Sequence, residues 1–175
     1  MIRDLVGTLR AAAACAAAAA VLAACSGKDW RVQQLYGGPT SMEVLKTPKA
    51  VEAFLIDPRL PAPEKDAPRL GDFNVLRGPV AVDAATAEEL SSILTDPETY
   101  DWVRAKGCDF RPGVGLRLVR DASRVEIALC FECDELMIFR HGRRVGMEDF
   151  DAARPRLIAA VKKLFPDDPK IAALK

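Results

Sequence analysis

Apolar and polar residues change rhythm along this chain, and the second half is the more regular. Val114, Leu116 and Leu118 alternate with Gly115, Arg117 and Val119; after Asp121-Ala122-Ser123, Val125, Ile127, Leu129 and Phe131 alternate with Glu126, Ala128 and Cys130. A period of two predicts strands with one buried face. Leu136–Arg140 supplies a third strand, and His141-Gly142 a turn into Arg144-Val145, so this half predicts an antiparallel meander. Upstream, Val51, Ala53 and Leu55 alternate with Glu52, Phe54 and Ile56 and predict another strand. Residues 57–70 hold four prolines and predict an extended surface loop. Phe73–Leu76 and Val80–Val82 are short strand candidates, broken at Gly78-Pro79.

The rhythm turns helical in two places. Thr86 with Glu89 forms a capping box ahead of Leu90, Ile93 and Leu94, which predicts a helix over 87–95; Asp96-Pro97 opens a further turn. Asp151 is the expected cap of a helix whose Leu157, Ile158, Val161, Leu164 and Phe165 form one apolar stripe. Pro166 ends it, and Asp168-Pro169 opens a last short helix with Ile171 and Leu174 facing inward. The expected fold is α+β, an antiparallel β-meander of three to five strands packed against a C-terminal amphipathic helix.

The N-terminus follows a different pattern. Arg3 and Arg10 precede an uncharged apolar run over residues 11–24, which at 14 residues is too short for a permanent membrane span. A basic start followed by such a run predicts a secretory signal peptide. The run ends in Leu22-Ala23-Ala24-Cys25, which resembles the lipobox of bacterial lipoproteins. That resemblance implies that residues 1–24 are removed and that Cys25 becomes the lipidated first residue. Its thiol would carry a diacylglycerol and its amine a further acyl chain, enough together for stable anchoring in a bilayer. The competing reading is an ordinary cleaved signal in which Cys25 is incidental. Ser26 stands where an Asp would direct retention at the inner membrane, so the resemblance favours the outer membrane. The expected organisation is a signal peptide (1–24), a lipidated N-terminus and tether (25–48, with a short structured piece around Arg31–Tyr36) and one α+β domain (49–175).

Charge narrows the partners. The chain has 25 basic and 25 acidic side chains and one His. Nucleic acid is not an expected partner of so balanced a chain. A lone His argues against His-rich metal sites and against Ser-His-Asp or Cys-His catalysis, and no enzymatic activity is expected. Glu148-Asp149 and Asp167-Asp168 coincide with predicted helix starts, where capping accounts for them. Gly113-x-Gly115 lies in a strand and lacks the strand-to-helix setting of a phosphate loop. Trp30 and Trp102 are expected as core or tether anchors. Arg120, Arg124, Arg140, Arg143 and Arg144 fall near the turn end of the meander, away from the cysteines. They suit lipid head groups, but solvated hairpins whose charges deter edge-to-edge pairing are the favoured reading.

Cys108, Cys130 and Cys133 carry the most specific chemistry. Cross-strand register places all three at one end of the meander, with His141 at the other. In an oxidising compartment a disulfide with one thiol left over is the first expectation, with the pairing open. Cys130 and Cys133 can bridge only if the chain turns between them, since a straight strand points them to opposite faces. Cys108 can reach either. The second reading is a structural zinc held by three thiolates plus Asp109, Asp134 or Glu132, His141 being too distant. The third is a redox pair, which acidic Asp134-Glu135 disfavours by raising the thiol pKa. Reduced structural thiols are the fourth. No other cofactor is expected.

The stretches Cys108-Asp109-Phe110-Arg111-Pro112-Gly113-Val114 and Leu129-Cys130-Phe131-Glu132-Cys133 resemble a family of exported or lipid-anchored bacterial proteins sharing C-x-F-x-P-G-V and L-C-F-x-C strands. The likeness runs over roughly residues 100–174, through Phe150 and Leu164-Phe165-Pro166-Asp167. The family has no assigned activity, so the resemblance implies no catalytic residue. It implies that the cysteine-bearing strands define the domain. The expected protein is a membrane-anchored envelope lipoprotein, a structural or binding module whose partners are the bilayer and an envelope protein. The alternative is a metal-binding or thiol-redox protein using Cys108, Cys130 and Cys133.

Overall fold

The computed structural model describes residues 30–59, 67–103 and 106–175. The leader, the lipobox and Cys25 lie outside these residues, as do positions 60–66 of the proline-rich loop. Residues 30–35 are helical (α1), and α2 (Pro39–Lys46) follows with Pro39 in its first turn. α1 coincides with the short structured piece expected around Arg31–Tyr36, and α2 occupies part of the remaining stretch expected to be a tether. Val32 and Tyr36, four apart, and the adjacent Val44 and Leu45 are almost completely buried, so the folded part begins by residue 30 rather than at 49.

Seven strands follow in the sequence β1 (Ala50–Ile56), β2 (Arg69–Leu70), β3 (Phe73–Ala81), β4 (Val114–Arg120), β5 (Ser123–Cys130), β6 (Glu135–Arg140) and β7 (Arg143–Asp149). They form one antiparallel sheet in the order β2-β3-β1-β4-β5-β6-β7, two strands more than the upper expectation. The predicted meander is present, with Arg120 opposite Ser123 and Arg140 opposite Arg143 across its two tight turns. Phe73–Ala81 is one strand, not two. It runs straight through a cis Gly78-Pro79 bond, and its pairing with β1 shifts register beside that point.

Helix α3 (Ala84–Thr95) starts three residues earlier than expected. Asp83 is its cap and accepts hydrogen bonds from the N–H (2.9 Å) and hydroxyl (2.7 Å) of Thr86, while Glu89 pairs with Lys163 at 3.0 Å. Asp151 opens a short 3-10 turn, Asp151–Ala153, without capping it by its side chain; α4 (Arg154–Leu164) continues with Pro155 in its first turn. In α5 (Pro169–Ala172), Asp168 caps as expected, accepting from the N–H groups of Lys170 and Ile171 at 3.0 Å.

Alternation gives the sheet two buried faces. Val51, Ala53, Leu116, Leu118, Ile127 and Ile138 point into the main core, with the helices. The helix lying directly against β4 and β5 is α2; α3 packs on α2 and α4 on α3, while Leu157, Ile158 and Val161 of α4 join the same core. The opposite face has a smaller core of Phe54, Ile56, Leu70, Phe73, Ala128, Met137 and Phe139. It exists because the sheet curls, bringing β2 into contact with β5 although three strands lie between them. Gly71 makes the closure possible. It has φ +54°, and a Cβ there would stand 2.5 Å from the Phe139 ring.

Candidate functional site

The hairpin ends carrying the cysteines form the most elaborate part of the surface. Strand β5 ends at Cys130, residues 131–134 turn the chain, and Asp134 adopts φ +56° before β6 begins. This turn brings Cys133 to the segment that precedes β4. Cys108 and Cys133 form a disulfide with a Cα–Cα distance of 5.9 Å. Cys108 is exposed and Cys133 buried, and the Asp109 carbonyl oxygen lies 3.4 Å from Cys133 Sγ. Cys130 is a free, fully buried thiol whose sulfur receives the Arg111 backbone N–H at 3.3 Å. The three sulfur-bearing residues therefore gather as expected, and of the open pairings the structure selects Cys108–Cys133.

Two of the three thiols in the zinc reading are thus consumed by a bond to each other. Among the described residues, no group of three or more His, Cys, Asp and Glu side chains is arranged to hold a metal. His141 is exposed in the β6–β7 turn, at the opposite end of the sheet.

Beside the disulfide stands a charged cluster that sequence periodicity did not expose. Lys106 donates to the Cys133 carbonyl at 2.7 Å, hydrogen-bonds Asp151, and lies 3.5 Å from Asp149 Oδ2. Asp149 is the last residue of β7, not a helix-start acid, and is buried directly opposite buried Glu135 on β6. Burial raises the pKa of both carboxyls; Asp149 raises Glu135 further, Asp151 and Asp101 raise Asp149 further, and Lys106 offsets part of each rise. Glu135 Oε2 has no hydrogen-bond partner among the described residues. Burial also raises Glu148. On the far side, Arg154 donates to the Phe131 carbonyl at 2.7 Å and pairs with Asp134. Asp151, expected as a helix cap, is thus a ligand of Lys106. No spacing rule could have paired residues so far apart in the chain.

The same end carries a groove of about 360 Å³, within the range of small-molecule pockets. Leu55, Ile56, Leu76, Phe131, Ile171 and Leu174 give it apolar walls, and Arg111, Glu132 and Lys170 stand at its rim. Leu76 is 64% exposed there, which is unusual for a large aliphatic side chain in this molecule. Arg111 and Glu132, on the two segments joined by the disulfide, thus both line the groove at its rim.

The remaining candidates are structural. Trp102 donates from Nε1 to the Pro97 carbonyl at 3.1 Å and stacks near Tyr100, with Arg31 over its ring. Trp30 is 55% exposed and is not a core residue. Gly115 sits within β4 where a Cβ would stand 2.6 Å from Leu70, so it serves sheet closure. The arginines of the turn end lie at the opposite pole from the disulfide. No family model, curated protein or solved structure matches this chain, so the stapled, groove-bearing end is its candidate functional site on geometry alone.

Proposed function

We propose that this protein is a lipid-anchored envelope lipoprotein whose domain is a non-enzymatic binding module, with the groove beside the disulfide as its ligand surface. The observation that carries this reading is the Cys108–Cys133 disulfide. Structural disulfides belong to exported proteins, which agrees with the signal-like leader and with Leu22-Ala23-Ala24-Cys25. The bond joins the two loops that wall the groove, so it holds a binding surface in shape rather than offering a reactive thiol. Outer-membrane placement follows from Ser26 after Cys25. An envelope protein presenting an apolar segment is the partner this groove suits.

The test is the mass of the full chain after expression in a bacterium with lipoprotein processing. The expected product begins at acylated Cys25, is two hydrogens light, and shows one alkylatable thiol, Cys130, after denaturation. A product without acyl chains would overturn the anchor. Retained zinc with Cys108, Cys130 and Cys133 all alkylatable would overturn the disulfide-held module in favour of the metal site.

A further inference from the structure

Helix α2 is pinned at both ends by arginines of the turn end, the basic pole of the sheet. Arg140 donates to the Gly37 carbonyl just ahead of it at 2.7 Å. Just behind it, Arg120 donates to the Thr47 carbonyl at 2.7 Å and to its hydroxyl at 2.8 Å. The link into β1 is fixed again by the Lys49 N–H, which donates to the Val119 carbonyl at 2.8 Å. Helix α3 packs on α2 and is capped by Asp83. Between the link and α3 lies a cleft of about 580 Å³ that shares no lining residue with the groove beside the disulfide. Lys46, Thr47 and Lys49 stand on one wall, and Ala87, Glu88 and Ser91 on the other.

Half of the polar groups in this cleft are already engaged. Thr47 holds Arg120 and donates to the Glu43 carbonyl at 3.1 Å, and Lys49 pairs with Asp121. Lys46 and Glu88, exposed on opposite walls, have no ion pair with each other or with any other described residue. Ser91 is only 8% exposed, and its hydroxyl has no hydrogen-bond partner among the described residues. Exposed opposite charges alone make an ordinary solvated surface. A buried hydroxyl with an unmet hydrogen bond between them does not.

We infer that this cleft binds a short peptide with free ends, its carboxylate on Lys46, its ammonium on Glu88 and a main-chain amide at Ser91 Oγ. An anion alone would meet Glu88, and a cation alone would meet Lys46 and Lys49; a molecule carrying both charges suits both walls. The gap between Lys46 and Glu88, wider than an ion-pair contact, is the span such a molecule fills. Ala87 presents only a methyl group, so a peptide backbone can approach α3 closely. The Ser91 hydroxyl can donate to a peptide carbonyl or accept from a peptide N–H. The volume lies in the range of small-molecule sites and far exceeds that of a single ion. This site is separate from the groove and holds whether or not the chain is lipid-anchored.

The full chain is titrated with trialanine, N-acetyl-trialanine and trialanine amide while its backbone amide shifts are followed by NMR. Trialanine is expected to shift residues 46–51 and 84–91 and to bind at least about fivefold more tightly than either blocked form, the equivalent of one exposed ion pair. Lys46→Gln and Glu88→Gln should each weaken trialanine by a similar factor. Trialanine amide, which lacks the carboxylate, should be indifferent to Lys46→Gln. Ser91→Ala should weaken trialanine while leaving the thermal unfolding midpoint unchanged, since its hydroxyl has no partner in the fold to lose. Equal binding of the three peptides, no shift with trialanine, or shifts confined to the groove would overturn the inference. So would an equal response to acetate, which would make the cleft a simple anion site.

Discussion

The two poles of this sheet are made from the same kind of hairpin, yet they are held by different physics. At the basic pole the turns are tight, with Asp121 at φ +53° and His141 at φ +50°, and their charges point into water. Long side chains bond to backbone carbonyls of neighbouring loops, and little is buried. At the acidic pole the turn is wider, a covalent bond joins it to the segment before β4, and carboxyls are buried against one another around Lys106. The first arrangement is inexpensive and tolerant of substitution. The second is costly unless every member is present, since removing one partner strands a buried charge.

The sharpest way to break this comparison is to cut the staple. Serine at both Cys108 and Cys133 should lower unfolding stability by about 3.5 kcal/mol, the chain-entropy value for a closed loop of this length. Chemical denaturation measures the loss, and amide exchange should place it at residues 106–113 and 131–135 while the basic turns stay unchanged. Equal loosening at both poles would show that the ends are not independent.

Lys106→Met tests the buried cluster. Without its ammonium, Asp149 and Glu135 face one another uncompensated, and stability at neutral pH should fall by about 2 kcal/mol, less than for a fully buried pair because Lys106 keeps some solvent contact. Combining it with Asp149→Asn should restore much of the loss.

Acid should separate the poles by sign. Glu135, Glu148 and Asp149 have folded pKa values raised by burial, so they favour folding when protonated, and that contribution is lost as pH rises through the raised values. Asp121 is lowered, through its hydrogen bond from Lys49, so its contribution is present above the ordinary aspartate range and is lost as pH falls through the lowered value. Between neutrality and the ordinary carboxylate range, acidification should tighten the disulfide pole and leave the basic pole alone. Amide exchange at several pH values, corrected for intrinsic rates, reads both. Asp149→Asn should flatten the response.

How much of this was legible in the sequence depended on whether a residue's environment is local. The meander could be read because each strand shows its own alternation and each turn its own residues, as at His141-Gly142. Asp168 was legible as a cap because capping acts over three positions. The cysteine end was legible through register, though the choice of Cys108 over Cys130 was not, because it depends on the wide turn that carries Cys133 across. Gly78-Pro79 misled for a specific reason. Strand β2 pairs only with Phe73 and Asn74, so beyond them β3 is an edge where a missing N–H costs nothing. Val32 and Tyr36 fall in the short structured piece expected around Arg31–Tyr36, whereas α2 was hidden because its buried positions, Ser41, Val44 and Leu45, hold too few apolar residues to show a stripe. Lys106 was hidden altogether, since its partners come from three distant segments.

The burial of α1 also has a mechanical meaning. Tyr36, at its end, shares a hydrogen bond with the Tyr100 hydroxyl at 2.9 Å, and Tyr100 donates to the Leu94 carbonyl at 2.7 Å, tying the N-terminal segment to α3 through the core. Tension entering the chain at residue 30 is thus delivered to the interior rather than absorbed by a slack leash. A copy pulled at residue 30 would load the Tyr36–Tyr100–Leu94 chain of hydrogen bonds before α1 could leave the core.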